Sequence, residues 1–285
     1  MEPLSCQSLS ERIKDNTLLP SMPATVLAAQ QLLNDPESSI NQIAHLLKAD
    51  PSMTAKILKV ANSAYYGMRR RVDSIETALV ILGLRTTYQL LQTLGVISAF
   101  SGRVETDFLR NLTRHSVIVA MTCSIIANAA GLQFIGVDYT AGLLHDMGHA
   151  AIHVVAPDHA RLLRQKGDLF RMGCDKEQGL IGVDHCQAGK FLAETWGLPD
   201  MIGQCMASHH RSLNGDKELS IPAIIRLAIS LSGHLGHLHQ HQPDVKYHVS
   251  LPEGHFASAL PFEAILQALK DRLDEADEIA ALLIH

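Results

Sequence analysis

The sequence predicts an all-α protein built from two helical units. Its 285 residues are 47% hydrophobic and 19% charged, a composition typical of a folded globular chain. Aromatic residues make up only 5%, so Leu, Ile, Val, Ala and Met must form the core. Apolar residues recur at spacings of three and four along the chain, and no segment shows the sustained alternation of a half-buried strand. These observations favour helices over a β-sandwich or barrel.

The first unit is predicted to span residues 1–105, and several of its helices have recognisable starts. Ser39 and Gln42 match a capping box, and Asp50 followed by Pro51 matches an N-cap and first helical position. Ser21 and Ser74 are the other predicted N-caps. Gly67 is placed at a helix end, and Asn62 is expected to bond to backbone groups at the end of its helix.

The second unit is predicted to span residues 106–285, after the polar, glycine-containing segment 101–106. Thr106, Asp138 and Asp184 are the predicted N-caps of three of its helices. Helix ends are predicted at Gly131 and at the run from Trp196 to Pro199. Two further helices are predicted, one from Asp158 to Arg171 and a final one from Pro261 to Leu283.

Charge and cysteine usage limit the expected partners and compartment. The formal net charge of −5 gives no electrostatic reason to expect nucleic acid as a partner. The short basic run Arg69-Arg70-Arg71 is interpreted as a solvated loop. Five cysteines without CxxC spacing indicate reduced thiols, and no apolar run is long enough to span a bilayer. The sequence therefore predicts a cytoplasmic protein without a membrane partner.

The most informative stretch is Gly142-Leu-Leu-His145-Asp146-Met-Gly148-His149. An adjacent His and Asp lie in a strongly apolar segment, and His149 would share the face of His145 on a continuous helix. Burying these groups without partners costs several kcal/mol, on the order of 2–7 for a neutral polar group. Either a metal ion or a hydrogen-bond network must therefore satisfy them.

Other helices carry histidines on or beside apolar faces. His115, His185 and the pair His209-His210 each fall on a different predicted helix. Helices of a bundle can direct such side chains into one central site. Four helices offering the same ligand type in one chain favour a shared site over unrelated core histidines.

These residues give the chain a recognisable pattern. His115, His145-Asp146, His185 and His209-His210 resemble the ligand set of the HD superfamily of metal-dependent phosphohydrolases. Residues 18–231 resemble more closely the HDOD branch, the HD-related output domain. The motifs that carry this closer resemblance are Leu19-Pro-Ser-Met-Pro-Ala, Ala49-Asp-Pro-Ser-Met, Leu58-Lys-Val-Ala-Asn-Ser-Ala-Tyr-Tyr-Gly67, Ser74-Ile-Glu-Thr-Ala-Leu, Gly142-Leu-Leu-His-Asp-Met-Gly148, Asp184-His185 and Trp196-Gly-Leu-Pro199.

The resemblance implies that residues 18–231 form one HDOD module whose C-terminal part is an HD-domain, phosphodiesterase-like helical bundle. It implies one divalent metal of the Fe, Mn, Zn or Ni type, or an empty site in which the side chains bond to one another. Asp146 is the candidate catalytic residue. The implied metal ligands are His115, His145, Asp146, His185, His209 and His210.

Two departures from the catalytic pattern weaken an enzymatic reading. Catalytic HD proteins have a further Asp on the helix after the last His pair, and the aligned position here is Ile229. Loss of that carboxylate removes charge that would hold a second metal. In addition, His210 leads into Arg211-Ser-Leu rather than Gly-Tyr-Pro, which disfavours a cyclic-di-GMP phosphodiesterase.

The expected function is that of a bacterial signalling or regulatory module that binds a protein partner or a small ligand, without catalysis. The alternative is a metal-dependent phosphohydrolase with a reduced site, acting on a phosphate ester or nucleotide. Arg114, Lys190 and Arg211 are then the candidate phosphate-binding residues. A third possibility is a sensor that binds a cyclic dinucleotide without cleaving it.

A second group of histidines lies near the C-terminus, in a stretch containing Gly, Gln and Pro. It runs from His234 to His241, with His248 and His255 further on. A surface loop, adventitious metal capture and a pH-responsive segment all remain open for it.

Overall fold

The predicted all-α class is confirmed. The computed structural model describes residues 2–15, 19, 22–34, 38–63, 68, 70–132, 136–167, 169–211, 218–234 and 260–284. Within these ranges every regular element is a helix, and none is a strand. The chain forms two compact units.

One unit comprises residues 21–114 and 272–285. Its long helix, Ile75–Phe100, packs against the three helices that precede it. At Gly83 the helix is interrupted by a left-handed backbone conformation (φ 75°) that a side chain would disfavour. The unit contains α2 (Ala24–Asn34), α3 (Ile40–Lys48), α4 (Pro51–Ala61), α5 (Ile75–Phe100), the start of α6 (Thr106–Ala129) and α15 (Leu273–Ile284).

Most of the helix starts predicted for residues 1–105 are confirmed by their hydrogen bonds. Ser39 and Gln42 form the capping box, and Asp50 and Ser74 accept hydrogen bonds from backbone amides three residues on. Asn62 bonds to the carbonyls of Leu58 and Val72, as its position at the helix end predicts. The predicted features at Ser21 and Gly67 and the basic residue Arg69 lie outside the described residues.

The other unit comprises residues 1–20 and 115–271. Helix α11 (His185–Thr195) is at its centre and packs against α1 (Cys6–Lys14), α8 (Met147–Val155) and α12 (Asp200–Ser208). The unit contains α1 (Cys6–Lys14), the rest of α6, α7 (Val137–Leu144), α8 (Met147–Val155), α9 (Pro157–Lys166), a 3-10 turn (Leu169–Arg171), α10 (Cys174–Ile181), α11 (His185–Thr195), α12 (Asp200–Ser208), α13 (Ile221–His234) and α14 (Phe262–Lys270). The predicted boundary at 105 and 106 lies just before α6, whereas the two units of the structure divide within that helix, between Arg114 and His115.

Three local predictions for residues 106–285 are wrong. Asp138 is not an N-cap: α7 begins after Gly136, and the buried Asp138 carboxylate accepts a hydrogen bond from Ser124 instead. The helix predicted to reach Arg171 ends at Lys166, because Gly167 adopts an extended backbone conformation (φ 156°, ψ −173°) that does not continue a helix. The predicted final helix is two helices, α14 and α15, separated at Asp271 and Arg272.

Two glycines allow helices of the unit formed by residues 1–20 and 115–271 to approach closely. A Cβ on Gly142 would lie 2.6 Å from the Cα of Ala120 in α6, and one on Gly148 would lie 1.9 Å from the carbonyl oxygen of His185. Both distances are shorter than van der Waals contact, so only glycine fits. The glycines therefore bring α6 and α11 within reach of the His145-Asp146 turn between them.

We predict that Gly148→Ala destabilises the protein by about 1–3 kcal/mol or more, because the added methyl group forces α8 away from α11. Gly179→Ala is the matched control. Gly179 lies in α10 with open space around its Cα, so the substitution should stabilise by about 0.4–1 kcal/mol. Urea unfolding followed by circular dichroism measures both changes, and equal stability of the two variants would contradict the packing argument.

A candidate metal centre

Five helices bring the predicted ligands to one place. His115 lies in α6, His145 follows the end of α7, and Asp146 precedes α8. His185 is the first residue of α11, and His209 follows the end of α12. Helix α11 starts at this point because Asp184 and Gln187 form a capping box. All five side chains are at least nine-tenths buried.

The helix that the sequence predicts across His145 is broken at the motif itself. His145 and Asp146 form the turn between α7 and α8, so His145 and His149 do not share one helical face. Asp146 occupies the N-cap position of α8 but makes no side-chain capping bond. Its carboxylate is therefore available to the surrounding histidines.

One half of the centre is formed by His115, His145 and one oxygen of Asp146. The Nε2 atoms of the two histidines are 3.1 Å apart. Oδ2 of Asp146 lies 3.1 Å from Nε2 of His115 and 3.4 Å from Nε2 of His145. These separations place three potential ligand atoms around a common point.

The other half is formed by His185, His209 and the second oxygen of the same carboxylate. The Nε2 atoms of these histidines are also 3.1 Å apart. Oδ1 of Asp146 lies 3.1 Å from Nε2 of His209 and 3.6 Å from Nε2 of His185. Asp146 is therefore shared between two pairs of imidazoles.

Hydrogen bonds to the outer ring nitrogens fix the tautomers of two histidines. Nδ1 of His145 lies 2.7 Å from the carbonyl oxygen of Gly142, and Nδ1 of His209 lies 3.0 Å from that of Met206. Because a carbonyl oxygen only accepts, each Nδ1 must carry the proton. In the neutral rings the Nε2 lone pairs then point into the centre, which is the arrangement of metal-binding histidines.

Glu177 of α10 orients the third histidine and was not anticipated from the sequence. Its Oε2 lies 2.6 Å from Nδ1 of His185 and accepts a hydrogen bond from the His185 backbone amide at 2.9 Å. Burial raises the pKa of Glu177 to about 7. A buried glutamate eight residues before the histidine has no sequence signature, because the turn between α10 and α11 creates the contact.

The electrostatics of the centre favour a positive charge close to the Asp146 carboxylate. Burial on its own raises the pKa of Asp146, but interactions with His145, His115 and His209 outweigh it and hold that pKa well below its usual range. Burial also lowers the pKa of His185 to about 3. An ionised carboxylate thus lies among these histidines, and its buried Oδ1 lacks a hydrogen-bond donor.

These features fit a divalent metal ion. Neutral imidazole and carboxylate are ligands shared by Zn, Fe, Mn and Ni, so the donor set alone does not choose among them. Groups of His and carboxylate ligand atoms lie within 4.8 Å of one another on both sides of Asp146. The side chains that would hold the ion are His115, His145, Asp146, His185 and His209.

His210 lies at the edge of the centre. His210 is exposed to solvent, and the centroid of its ring is 4.9 Å from that of His185 and 4.5 Å from that of His209. One of its nitrogens belongs to the group of potential ligand atoms that includes Asp146. All six predicted ligands are therefore adjacent.

Other aromatic rings pack against the histidines of the centre. The ring of His149 stacks on that of His185 with centroids 4.1 Å apart, and burial lowers the pKa of His149 to about 3. Phe170, in the 3-10 turn, packs against His115 at 5.3 Å and against His149 at 6.1 Å. Phe170 is apolar and lies outside the His and Asp motifs, so it was not predicted to lie here.

A cleft of about 1120 Å³ begins beside His210 and Cys186. Two of the predicted phosphate-binding residues, Lys190 and Arg211, line it. The third, Arg114, forms a two-pronged ion pair with Asp277 and is not among the residues that line the cleft.

Two other features singled out in the sequence contribute no ligand atom among the described residues. Ile229 is half-buried in α13, and its hydrocarbon side chain offers no ligand. In the histidine group near the C-terminus, the side chain of His234 and residues 235–255 lie outside the described residues.

Comparison with known proteins identifies the family. The model of the HDOD domain matches residues 19–212, more than half of the chain. The chain belongs to the HDOD domain family. Its buried His and Asp residues are thus the centre of an HDOD module, in agreement with the resemblance seen in the sequence.

Two solved structures share this HDOD fold. An HDOD domain protein of unknown function from Geobacter sulfurreducens gives a TM-score of 0.75 at 23% identity, covering 97% of this chain and 98% of that chain. A candidate phosphohydrolase from Shewanella amazonensis SB2B gives 0.69 at 19% identity, covering 96% and 97%. At these identities the likeness shows the fold alone.

Two curated relatives match parts of longer proteins. An uncharacterised protein from Treponema pallidum is 26% identical over 216 residues, which are 74% of this chain and 40% of the relative. Ribonuclease Y from Desulfotalea psychrophila is 30% identical over 131 residues, 46% of this chain and 20% of the relative. The chain thus spans less than half the length of either. In the described residues, no helix combines the length and apolarity needed to cross a membrane.

We predict that Glu177→Gln weakens metal binding about 10–100-fold, because the neutral amide no longer stabilises the Nδ1–H of His185. The matched control is Glu11→Gln, an exposed position of α1 outside the centre, which should leave the affinity unchanged. Competition with a chromogenic chelator measures the dissociation constant for Zn²⁺. Equal affinities for the two variants would remove Glu177 from the site.

We also predict that the metal-free protein loses stability as the pH falls below 6.5. His149, His185 and the more exposed His210 titrate near 3 in the folded state and near 6.5 when unfolded, so the unfolded chain binds these protons first. Glu177 opposes this, since its folded pKa of about 7 lies above the unfolded 4.5. For the two buried histidines and Glu177, the net excess is one proton between pH 4.5 and 6.5, a loss on the order of 1 kcal/mol per pH unit, and His210 adds a smaller loss because solvent screens its charge.

Urea unfolding in the presence of a chelator at several pH values tests this dependence. His149→Gln removes one of the two buried histidines whose pKa is lowered, so its stability should fall less steeply over the same range. A stability that is flat or rises on acidification would show that these histidines are not held neutral in the fold.

Proposed function

We propose that this HDOD protein is a regulatory module built around a buried metal centre, and that it binds a small ligand or a protein partner without catalysing a reaction. The observation that carries the proposal is the convergence of imidazole Nε2 atoms on both oxygens of Asp146. A network of neutral rings supplies too few protons for these contacts, whereas a cation satisfies them all. The metal would therefore hold together the helices that meet here.

Burial of the ligands supports a non-catalytic role. His115, His145, Asp146, His185 and His209 are each at most 5% exposed, and Phe170 covers the side formed by His115 and His149. A hydrolytic site needs room beside the metal for water and substrate. The chain also has Ile229 where catalytic relatives of the HD type carry a carboxylate.

The cleft beside His210 is the proposed ligand surface. It is lined by Lys190, Arg211 and Arg226 together with the acidic residues Asp184 and Glu194, so a ligand with both anionic and polar groups suits it. His210 and Cys186 line the cleft and also adjoin the buried histidines. A ligand bound in the cleft would therefore affect the metal centre through these two residues.

Metal analysis combined with a hydrolysis assay tests the proposal. We expect purified protein loaded with Zn²⁺, Mn²⁺ or Fe²⁺ to retain metal after desalting and to melt at a higher temperature. His145→Ala should lose both properties, because it removes a central ligand. His45→Ala, at an exposed position of α3, is the matched control and should behave as the unaltered protein.

The same preparations should not hydrolyse bis-p-nitrophenyl phosphate or cyclic dinucleotides. Failure to retain any of the three metals would overturn the metal centre. Hydrolysis that is lost in His145→Ala and kept in His45→Ala would overturn the non-catalytic assignment alone.

The alternative is a metal-dependent phosphohydrolase with a reduced site. It is favoured by the sharing of Asp146 between two pairs of histidines, an arrangement suited to two neighbouring ions. A bound metal would supply Lewis-acid activation of water or phosphate. Lys190 and Arg211 would then bind the substrate phosphate from the cleft, and His210 would face it at the mouth of the site.

A further inference from the structure

A thiol lies beside the half of the centre formed by His185 and His209. Sγ of Cys186 is 3.7 Å from Nε2 of His185 and 3.8 Å from Nε2 of His209. The same two nitrogens are 3.1 Å apart. Cys186 is the second residue of α11, so the capping box that places His185 also places the thiol.

These separations are those of ligands around one small cation. With a Zn–S distance of about 2.3 Å and Zn–N distances of about 2.0–2.1 Å, tetrahedral geometry puts sulfur and nitrogen about 3.5–3.6 Å apart and two nitrogens about 3.3–3.4 Å apart. The observed distances to Cys186 lie within a few tenths of an ångström of the first range. A common ion would need only small side-chain adjustments.

We propose that Cys186 is a metal ligand, and that this half of the centre is a thiolate site formed by the Sγ of Cys186 with the Nε2 atoms of His185 and His209. The inference rests on the proposed metal centre and specifies its chemistry. Binding replaces the thiol proton: the S–H bond is broken, an S–metal bond forms, and the proton passes to solvent. No oxidant or reductant takes part.

The other buried cysteines show why Cys186 is distinct. Cys123 and Cys205 are also buried, but neither belongs to a group of potential metal ligands within the described residues. Cys186 does, in a group with His185 and Cys174. Cys174 Sγ lies 3.4 Å from Cys186 Sγ at the cleft, where it can donate a hydrogen bond to the bound sulfur.

A thiolate alters which metal the site selects. Cysteine sulfur favours Zn²⁺ and other borderline or soft ions, whereas Mg²⁺ and Mn²⁺ prefer oxygen ligands. It also adds a negative charge next to Asp146, so that two anionic ligands balance a divalent ion. The thiolate would thus supply the negative charge that is missing because Ile229 stands in place of a carboxylate.

Cobalt substitution tests the proposal directly. The full chain, reduced and kept without oxygen, is loaded with Co²⁺, and its absorption is recorded. A thiolate ligand produces an intense sulfur-to-cobalt charge-transfer band in the near ultraviolet, which imidazole and carboxylate ligands do not. We expect this band in the unaltered protein and in Cys6→Ser, whose thiol is exposed on α1, and its loss in Cys186→Ser.

Cys174→Ser separates the two neighbouring thiols and should keep the band. A band that survives Cys186→Ser, or one that is lost only in Cys174→Ser, would overturn the proposal. Bound Co²⁺ without the band in the unaltered chain would also overturn it while leaving the metal centre intact. Absence of bound Co²⁺, Zn²⁺ and Fe²⁺ would instead remove the metal centre itself.

Alkylation of the unaltered chain provides a test that does not depend on the folding of a variant. Iodoacetamide is applied with and without Zn²⁺, and the modified peptides are measured by mass spectrometry. A ligand thiol should be protected by Zn²⁺, so Cys186 should react more slowly while Cys6 reacts at an unchanged rate. Equal labelling of Cys186 in the two conditions would contradict the assignment.

Discussion

The packing of helices around the candidate metal centre, in the unit of residues 1–20 and 115–271, depends on the ionised carboxylate of Asp146. It is 4% exposed and lies among four histidines from α6, α7, α11 and α12. A buried charge costs several kcal/mol unless it is paired, and neutral rings pair with it only through the protons they can donate. A cation at this point would relieve the cost and join the helices. The proposed function and the proposed role of Cys186 both follow from this one requirement.

Close packing makes that arrangement possible. Glycine at positions 142 and 148 removes the side chains that would keep α6 and α11 apart from the His145-Asp146 turn. The capping box of Asp184 and Gln187 then fixes where α11 begins, which sets His185 and Cys186 at its first turn. The motif glycines and the cap are therefore as necessary to the centre as the ligands, although they touch no ion.

Local signals predicted the helix starts well because their physics is local. Ser39, Asp50 and Asp184 cap helices through bonds to residues three positions away, and the sequence contains both partners. Asp138 matches the same N-cap pattern, but the prediction is wrong. Helix α7 already begins at Val137, and the Asp138 carboxylate accepts a hydrogen bond from Ser124 on α6. The break between α14 and α15 also escaped prediction, since the amphipathic pattern continues across it.

The sequence by itself determined the helical class, the HDOD family and the identity of the six candidate ligands. Residue types and their spacing along the chain are enough for these, since each histidine lies on or directly beside a recognisable helix. Only the tertiary structure showed that Asp146 is shared between two pairs of imidazoles, that Glu177 orients His185 and that Cys186 adjoins the same nitrogens. Those contacts depend on how separate helices meet, and no periodicity within a single helix records them.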